Sequence, residues 1–178
     1  RLTAATIAAN AAGAIVVFVF ANFVLPAPKG LEHETRLAWI NVAAFAVGGA
    51  VGFVIGWQKS RQLWRRSFRW AYEDRAPSEA ERFRALRFPL RQQKLNAQLW
   101  GVAAVGFTAL NAPFSGEIAA DALLTIVLGG LVTCSSGYLL CERLTRPLTA
   151  AALATGVPER PVVPGVATRT ILTWTLST

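Results

Sequence analysis

Methionine is absent from this 178-residue chain, histidine occurs once, and cysteine and tyrosine twice each. Charge is also scarce: 16% of residues are Asp, Glu, Lys or Arg, against roughly 25% in a soluble domain. One histidine and ten scattered acids supply no Ser/His/Asp set, no Cys/His zinc spacing, no phosphate loop and no two-metal carboxylate cluster. His33 stands between Glu32 and Glu34, whose side chains diverge, and reads as part of a solvated loop. Cys134 and Cys141 fall on one helix, about 10.5 Å apart along its axis, too far for a disulfide. The sequence therefore excludes an ordinary globular enzyme and a disulfide-rich secreted domain. Without an initial methionine, and stopping in a short apolar run at Ile171–Thr178, it reads as a piece of a longer protein.

Apolar residues are plentiful: 53% of the chain, with a mean hydropathy of +0.40. They lie in uncharged blocks at 2–28, 37–58, 95–116 and 122–141, each near the ~20 residues that cross ~30 Å of hydrocarbon. The first block is too long for the apolar core of a cleaved signal peptide and reads as a retained span. The expected fold is an all-α, polytopic transmembrane bundle with four full spans and the start of a fifth. Six spans in three hairpins would complete it. Spans are expected over 4–25, 37–58, 95–111 and 118–141. Pro26 and Pro28 end the first, and Trp39 and Trp57 anchor the second at the two interfaces. The organisation is a transmembrane hairpin over 1–57, a basic cytoplasmic helical arm over 58–94, a second hairpin over 95–141, a second cytoplasmic arm over 142–169 and a fifth span starting within 170–178. Each arm carries a proline-broken segment, at Phe88-Pro89 and at Val163-Pro164.

The net charge is +8, and segment 58–94 carries most of it, with 11 bases against 4 acids. Lys and Arg are retained on the cytoplasmic side during insertion. Both arms and the N-terminus therefore face the cytoplasm, and the chain belongs in the cell inner (plasma) membrane as a multi-pass protein. Insertion bias accounts for the basic segment, so no nucleic-acid partner is expected.

Two glycine runs provide helix-packing faces: Gly48, Gly52 and Gly56 in the second span and, more weakly, Gly129, Thr133 and Gly137 in the fourth. The first run packs either within the bundle or across a homodimer. Asn10, Asn22, Asn41, Asn96, Gln98 and Asn111 read as hydrogen-bonding glue between helices. In the basic arm, Trp57, Trp64, Phe68 and Tyr72 share one helical face, and Arg61, Arg65 and Arg69 another, with Arg69 in reach of Glu73. The aromatic face packs on neighbours, and the arginine face meets lipid phosphates or couples to a partner. Ser78-Glu-Ala-Glu81 reads as a capping box opening a short helix to about Phe88.

After the fourth span come Cys141-Glu-Arg-Leu-Thr-Arg146-Pro147-Leu148 and a small-residue run to Gly156. This stretch resembles the opening of a HAMP helix. With the Trp/Arg arm and the Phe88-Pro-Leu-Arg91 turn, it resembles the membrane region of bacterial class III adenylate cyclases. The resemblance implies signal transduction: a membrane anchor and sensor-like input region of a dimeric lyase that makes cyclic AMP and pyrophosphate from ATP. Arg146, Pro147 and Leu148 would then be coupling residues. The catalytic domain, with its divalent Mg or Mn, would lie outside this chain, which holds no catalytic, cofactor or metal residue of its own. A lipid or membrane-dissolved molecule would be the ligand, since the outer loops are too short to bind a soluble one. The alternatives are the input domain of a HAMP-linked histidine kinase or chemoreceptor, or a small transporter.

Overall fold

A computed structural model of the chain describes residues 2–21, 34–154 and 156. The proline stop at 26–28, Asn22, His33, Val163-Pro164 and the fifth span lie outside them. The described residues form five α-helices and no strand: α1 (Leu2–Val19), α2 (Glu34–Tyr72), α3 (Glu79–Leu86), α4 (Phe88–Asn111) and α5 (Gly116–Ala154).

Two helices, α2 and α5, are long and apolar enough to cross a membrane by length and composition. That is fewer than the four full spans expected. In α1 the apolar helix among the described residues is only Ala8–Val19. In α4, Asn96, Gln98 and Asn111 dilute the apolar run. The helices also start and stop elsewhere than expected. Pro89 lies in the first turn of α4, where its missing N–H costs nothing, so the proline opens that helix at Phe88 instead of breaking the arm. α5 runs through Pro147 to Ala154 without interruption.

Polar pairs set the register of α2 against α4. Near one end, Asn41 Nδ2 donates to Asn111 Oδ1 at 2.9 Å and Asn111 Nδ2 donates back to Asn41 Oδ1 at 3.0 Å. Near the other, Gln92 Nε2 donates to Ser60 Oγ at 2.8 Å. Both intervals, 41–60 and 92–111, are 19 residues, or about 28 Å of helix. Between the two pins the outer surface is apolar: Val47, Val51 and Phe53 on α2, Val102 and Val105 on α4, and Leu124, Leu128 and Leu131 on α5 are each more than half exposed. No residue in the most apolar stretch of α2 is buried. In water such a band would be a large unfavourable apolar surface; in hydrocarbon it carries no such cost.

The main buried hydrophobic cluster lies beyond the Ser60–Gln92 pin. Phe68, Trp70, Ala85, Phe88, Cys141 and Ala152 form it, with Leu63, Trp64 and Leu148 packed against it. It joins the C-terminal extension of α2, α3, the start of α4 and the C-terminal half of α5.

Candidate functional site

The convergence of the two arms is the candidate coupling site. Its centre is an aromatic trio. Phe68 lies 4.5 Å from Trp64 and 5.1 Å from Phe88 between ring centroids, and Trp64 meets Phe88 edge-on at 5.6 Å. At Phe68 the backbone of α2 leaves helical geometry (φ −126°, ψ 19°), and the turn beyond is rotated. Trp70 is thereby buried, with its indole Nε1 donating to the Ser67 carbonyl at 3.1 Å. Tyr72 is rotated out, 72% exposed, and its hydroxyl accepts from Trp64 Nε1 at 2.8 Å. Of the expected aromatic face, Trp64 and Phe68 meet in the core; beyond the kink Trp70 takes the place of Tyr72. No spacing rule signals that replacement, because the kink breaks the helical period on which the rule rests.

A charged hub fastens α2 to α3. Asp74 adopts a left-handed φ of 47°, which Asp tolerates, and redirects the chain. Arg75 then bridges Glu73 at 2.8 Å and Glu81 at 2.6 Å, while Arg69 holds the other Glu73 oxygen at 2.6 Å. Glu81 is also the N3 residue of a complete capping box: its carboxylate accepts from the Ser78 backbone N–H at 3.0 Å, and the Ser78 hydroxyl accepts from the Glu81 N–H. The Arg75 guanidinium, followed by the Ser78 backbone N–H and the Ser78 hydroxyl, which both donate to the carboxylate, draws the Glu81 carboxyl down to about 2. Arg75 and Arg69 hold Glu73 below its ordinary value as well, and the two carboxylates raise Arg75 further above its own.

A second link ties α3 to the end of α5. Arg82 Nε donates to the Ala152 carbonyl at 3.0 Å, in the last turn of α5 where carbonyls lack helical partners. The HAMP-like residues lie on the same helix. Leu148 packs on the aromatic core, whereas Arg146 and Pro147 are exposed; the Arg146 carbonyl accepts from Thr149 Oγ1 at 2.9 Å.

The two glycine runs have opposite surroundings. A Cβ at Gly48 or Gly52 would meet nothing within 4 Å, and one at Gly56 would touch only Leu99, at 3.4 Å. On α5, by contrast, a Cβ at Gly129 would collide with Val17 of α1, and one at Gly130 would lie 3.1 Å from the Trp100 ring of α4. Gly13 of α1 is closed against Thr133 in the same way. At Gly137 the missing side chain leaves room for the Gln93 carboxamide, whose Oε1 and Nε2 would both lie 3.2 Å from a Cβ. The weaker sequence run is therefore the packed one, and most of the stronger run is open.

The amides also sort themselves. Asn41 and Asn111 pair across helices, and Asn10 Oδ1 accepts from Trp100 Nε1 at 3.2 Å. Asn96 bonds within α4, donating to Gln93 Oε1 at 2.9 Å and accepting from Gln92 at 3.3 Å. Gln98 is exposed. No spacing signal marks the buried residues Ser60, Gln92 and Gln93, because all three lie in the basic segment rather than in an apolar run. Among the described residues, Gln93 Nε2 is the buried side-chain polar atom left without a partner.

Among the described residues no three His, Cys, Asp or Glu side chains gather where they could share a metal ion. No protein-family model matches the chain, and no solved structure matches it. It is similar to mycobacterial proteins. It is 30% identical over 175 residues to the uncharacterized protein Rv1320c of Mycobacterium tuberculosis, an alignment covering 98% of this chain and 30% of that protein. Against the uncharacterized protein Rv1319c of the same organism it is 28% identical over 170 residues, covering 94% of this chain and 31% of the relative. Against the uncharacterized protein Mb1352c of Mycobacterium bovis the figures are 26% over 170 residues, 96% and 31%. The chain thus spans about a third of the length of these relatives.

Proposed function

We propose that this chain is the membrane anchor and input region of an adenylate cyclase, a longer protein that converts ATP to cyclic AMP and pyrophosphate. The observation that carries the reading is the shared core of the two arms. The HAMP-like stretch around Leu148 and the Trp/Arg arm around Phe68 pack together, as an element that gathers movement from several spans and passes it onward would require. The relatives' additional length leaves room for a catalytic domain. That domain would hold the Mg or Mn, for which the described residues offer no ligand cluster.

In this reading the bundle is multi-pass in the inner membrane, with its N-terminus and both arms in the cytoplasm. The apolar band between the pins faces lipid, and α1 and α4 complete the crossing beside α2 and α5. Cyclases of this class act as dimers, and the open Gly48–Gly52 face supplies a close-approach surface for a second protomer. A lipid or membrane-dissolved molecule that shifts helix packing would be the stimulus. No nucleic acid takes part.

The test is expression of the full-length protein in a bacterial host lacking its own cyclase. Cyclic AMP made from ATP with Mg or Mn is the expected result. Histidine autophosphorylation or solute flux, without cyclic AMP, would overturn the reading in favour of another receptor or a transporter. Thiol labelling of positions in 58–94 should place that arm on the cytoplasmic face. Gly52→Leu should reduce both dimerisation and cyclase output.

A further inference from the structure

We propose that a collar of bases just beyond the Ser60–Gln92 pin binds the headgroups of anionic phospholipids in the cytoplasmic leaflet. The inference rests on the membrane reading above. The collar draws on three helices. On α2, Lys59, Arg61, Arg65 and Arg66 are all exposed, within six residues of Ser60. On α4, exposed Arg91 and Lys94 flank Gln92 and Gln93. On α5, the level of the pin is given by Gly137, which lies against Gln93, and exposed Arg143 and Arg146 follow within about three turns.

The decisive feature is how neutralisation varies with depth. Beyond the collar, segment 69–87 sets five bases against four acids, and two of those bases, Arg69 and Arg75, are paired with Glu73 and Glu81. Within the collar none of the bases is in an ion pair among the described residues, and one carboxylate, Glu142, stands at that level. Retention on the cytoplasmic side during insertion requires only that the bases lie on that side. It gives no reason for the level nearest the membrane to hold eight bases against one carboxylate while the segment beyond it is nearly balanced. An anionic surface gives that reason, because phosphates supply the missing counter-charge. Arg61 adds a second link to the interface, with its guanidinium 5.8 Å from the ring centre of Trp57. The structure also revises which arginines are available: Arg61 and Arg65 remain open, whereas Arg69 is held by Glu73.

Native mass spectrometry of the full-length protein in neutral detergent, with phosphatidylglycerol or phosphatidylcholine added, tests this. Preferential retention of phosphatidylglycerol is expected. The combined variant Arg61→Gln/Arg65→Gln/Arg66→Gln should lose it by about fivefold per charge removed, while Arg69→Gln leaves it unchanged. Should the triple variant fail to insert, wild-type protein supplies the measurement: the preference should fall as salt is raised. Equal retention of both lipids by the wild type, or salt-insensitive retention, would overturn the proposal, as would complete displacement of the lipid by soluble glycerol phosphate. Carbonate extraction separates the two readings. A protein released from membranes defeats the membrane reading, whereas one that stays embedded without lipid preference defeats only the collar.

Discussion

Asn41 and Asn111 exchange hydrogen bonds in both directions, each carboxamide donating to the other across α2 and α4. Asn111 Nδ2 also donates to the Phe107 carbonyl at 2.8 Å, and Asn41 Nδ2 to that of Leu37 at 3.2 Å. Both side chains are therefore held in the geometry the pair requires. Replacing Asn111 with Leu leaves Asn41 Oδ1 without its donor and Asn41 Nδ2 with only the Leu37 carbonyl, and should destabilise the bundle by ~1–3 kcal/mol. The double variant Asn41→Leu/Asn111→Leu should cost less than the two single variants summed. Unfolding in mixed micelles, run as a double-mutant cycle, measures the coupling.

Glycine substitutions should separate the open face from the packed one. Gly130→Ala forces a methyl against the Trp100 ring and should cost ~1–3 kcal/mol. Gly48→Ala meets nothing and should leave the unfolding midpoint of the monomer unchanged while weakening self-association. The same unfolding assay, paired with crosslinking in membranes, distinguishes the outcomes.

Phe68 and Tyr72 are four residues apart on one nominal face, yet their truncation should have very different effects. Phe68 is fully buried between Trp64 and Phe88, so Phe68→Ala should cost ~3–5 kcal/mol. Tyr72 lies largely in solvent, and Tyr72→Ala should shift stability by less than ~1 kcal/mol, near the range of surface substitutions.

Acid should loosen the α2–α3 hub. The folded-state value of Glu81 is about 2, below its ordinary 4.5. The stability it contributes is present above pH 4.5 and is lost as pH falls through 4.5 toward about 2. Tryptophan fluorescence from Trp64 and Trp70 should report the loss in that interval. Glu81→Gln should remove its contribution at every pH, although solvent at the hub keeps the effect modest.

Arg82→Ala should free the last turn of α5. The lost charge-assisted bond to the Ala152 carbonyl should raise hydrogen exchange in the final turn of α5 about tenfold or more, with the aromatic core still protected.

Local chemistry was readable from the sequence wherever it acts over one or two turns. The Ser78 capping box, the Arg69–Glu73 pair and the helical path from Gln58 to Tyr72 depend on neighbours along the chain and form as their spacing requires. The amides of Asn41 and Asn111 also announced helix glue, though not which partner each would take. What spacing could not convey was tertiary. The kink at Phe68 exchanges Tyr72 for Trp70, and α5 continues through Pro147. Glycine spacing marks a face that permits close approach without specifying what approaches. Gly130 and Gly137 received neighbours, and Gly48 and Gly52 did not.

Fastened near both ends by Asn41–Asn111 and Ser60–Gln92, α2 and α4 cannot slide past each other without breaking a buried or half-buried hydrogen bond. Mechanically they form one stiff strut. The seams around it are different: where Trp100 and Val17 rest on the bare backbone of Gly129 and Gly130, contact is mainly by shape. Displacement within this bundle should therefore concentrate where α5 meets the strut and α1, and it would reach the aromatic core as a swing of α5 with Leu148 near its C-terminal end.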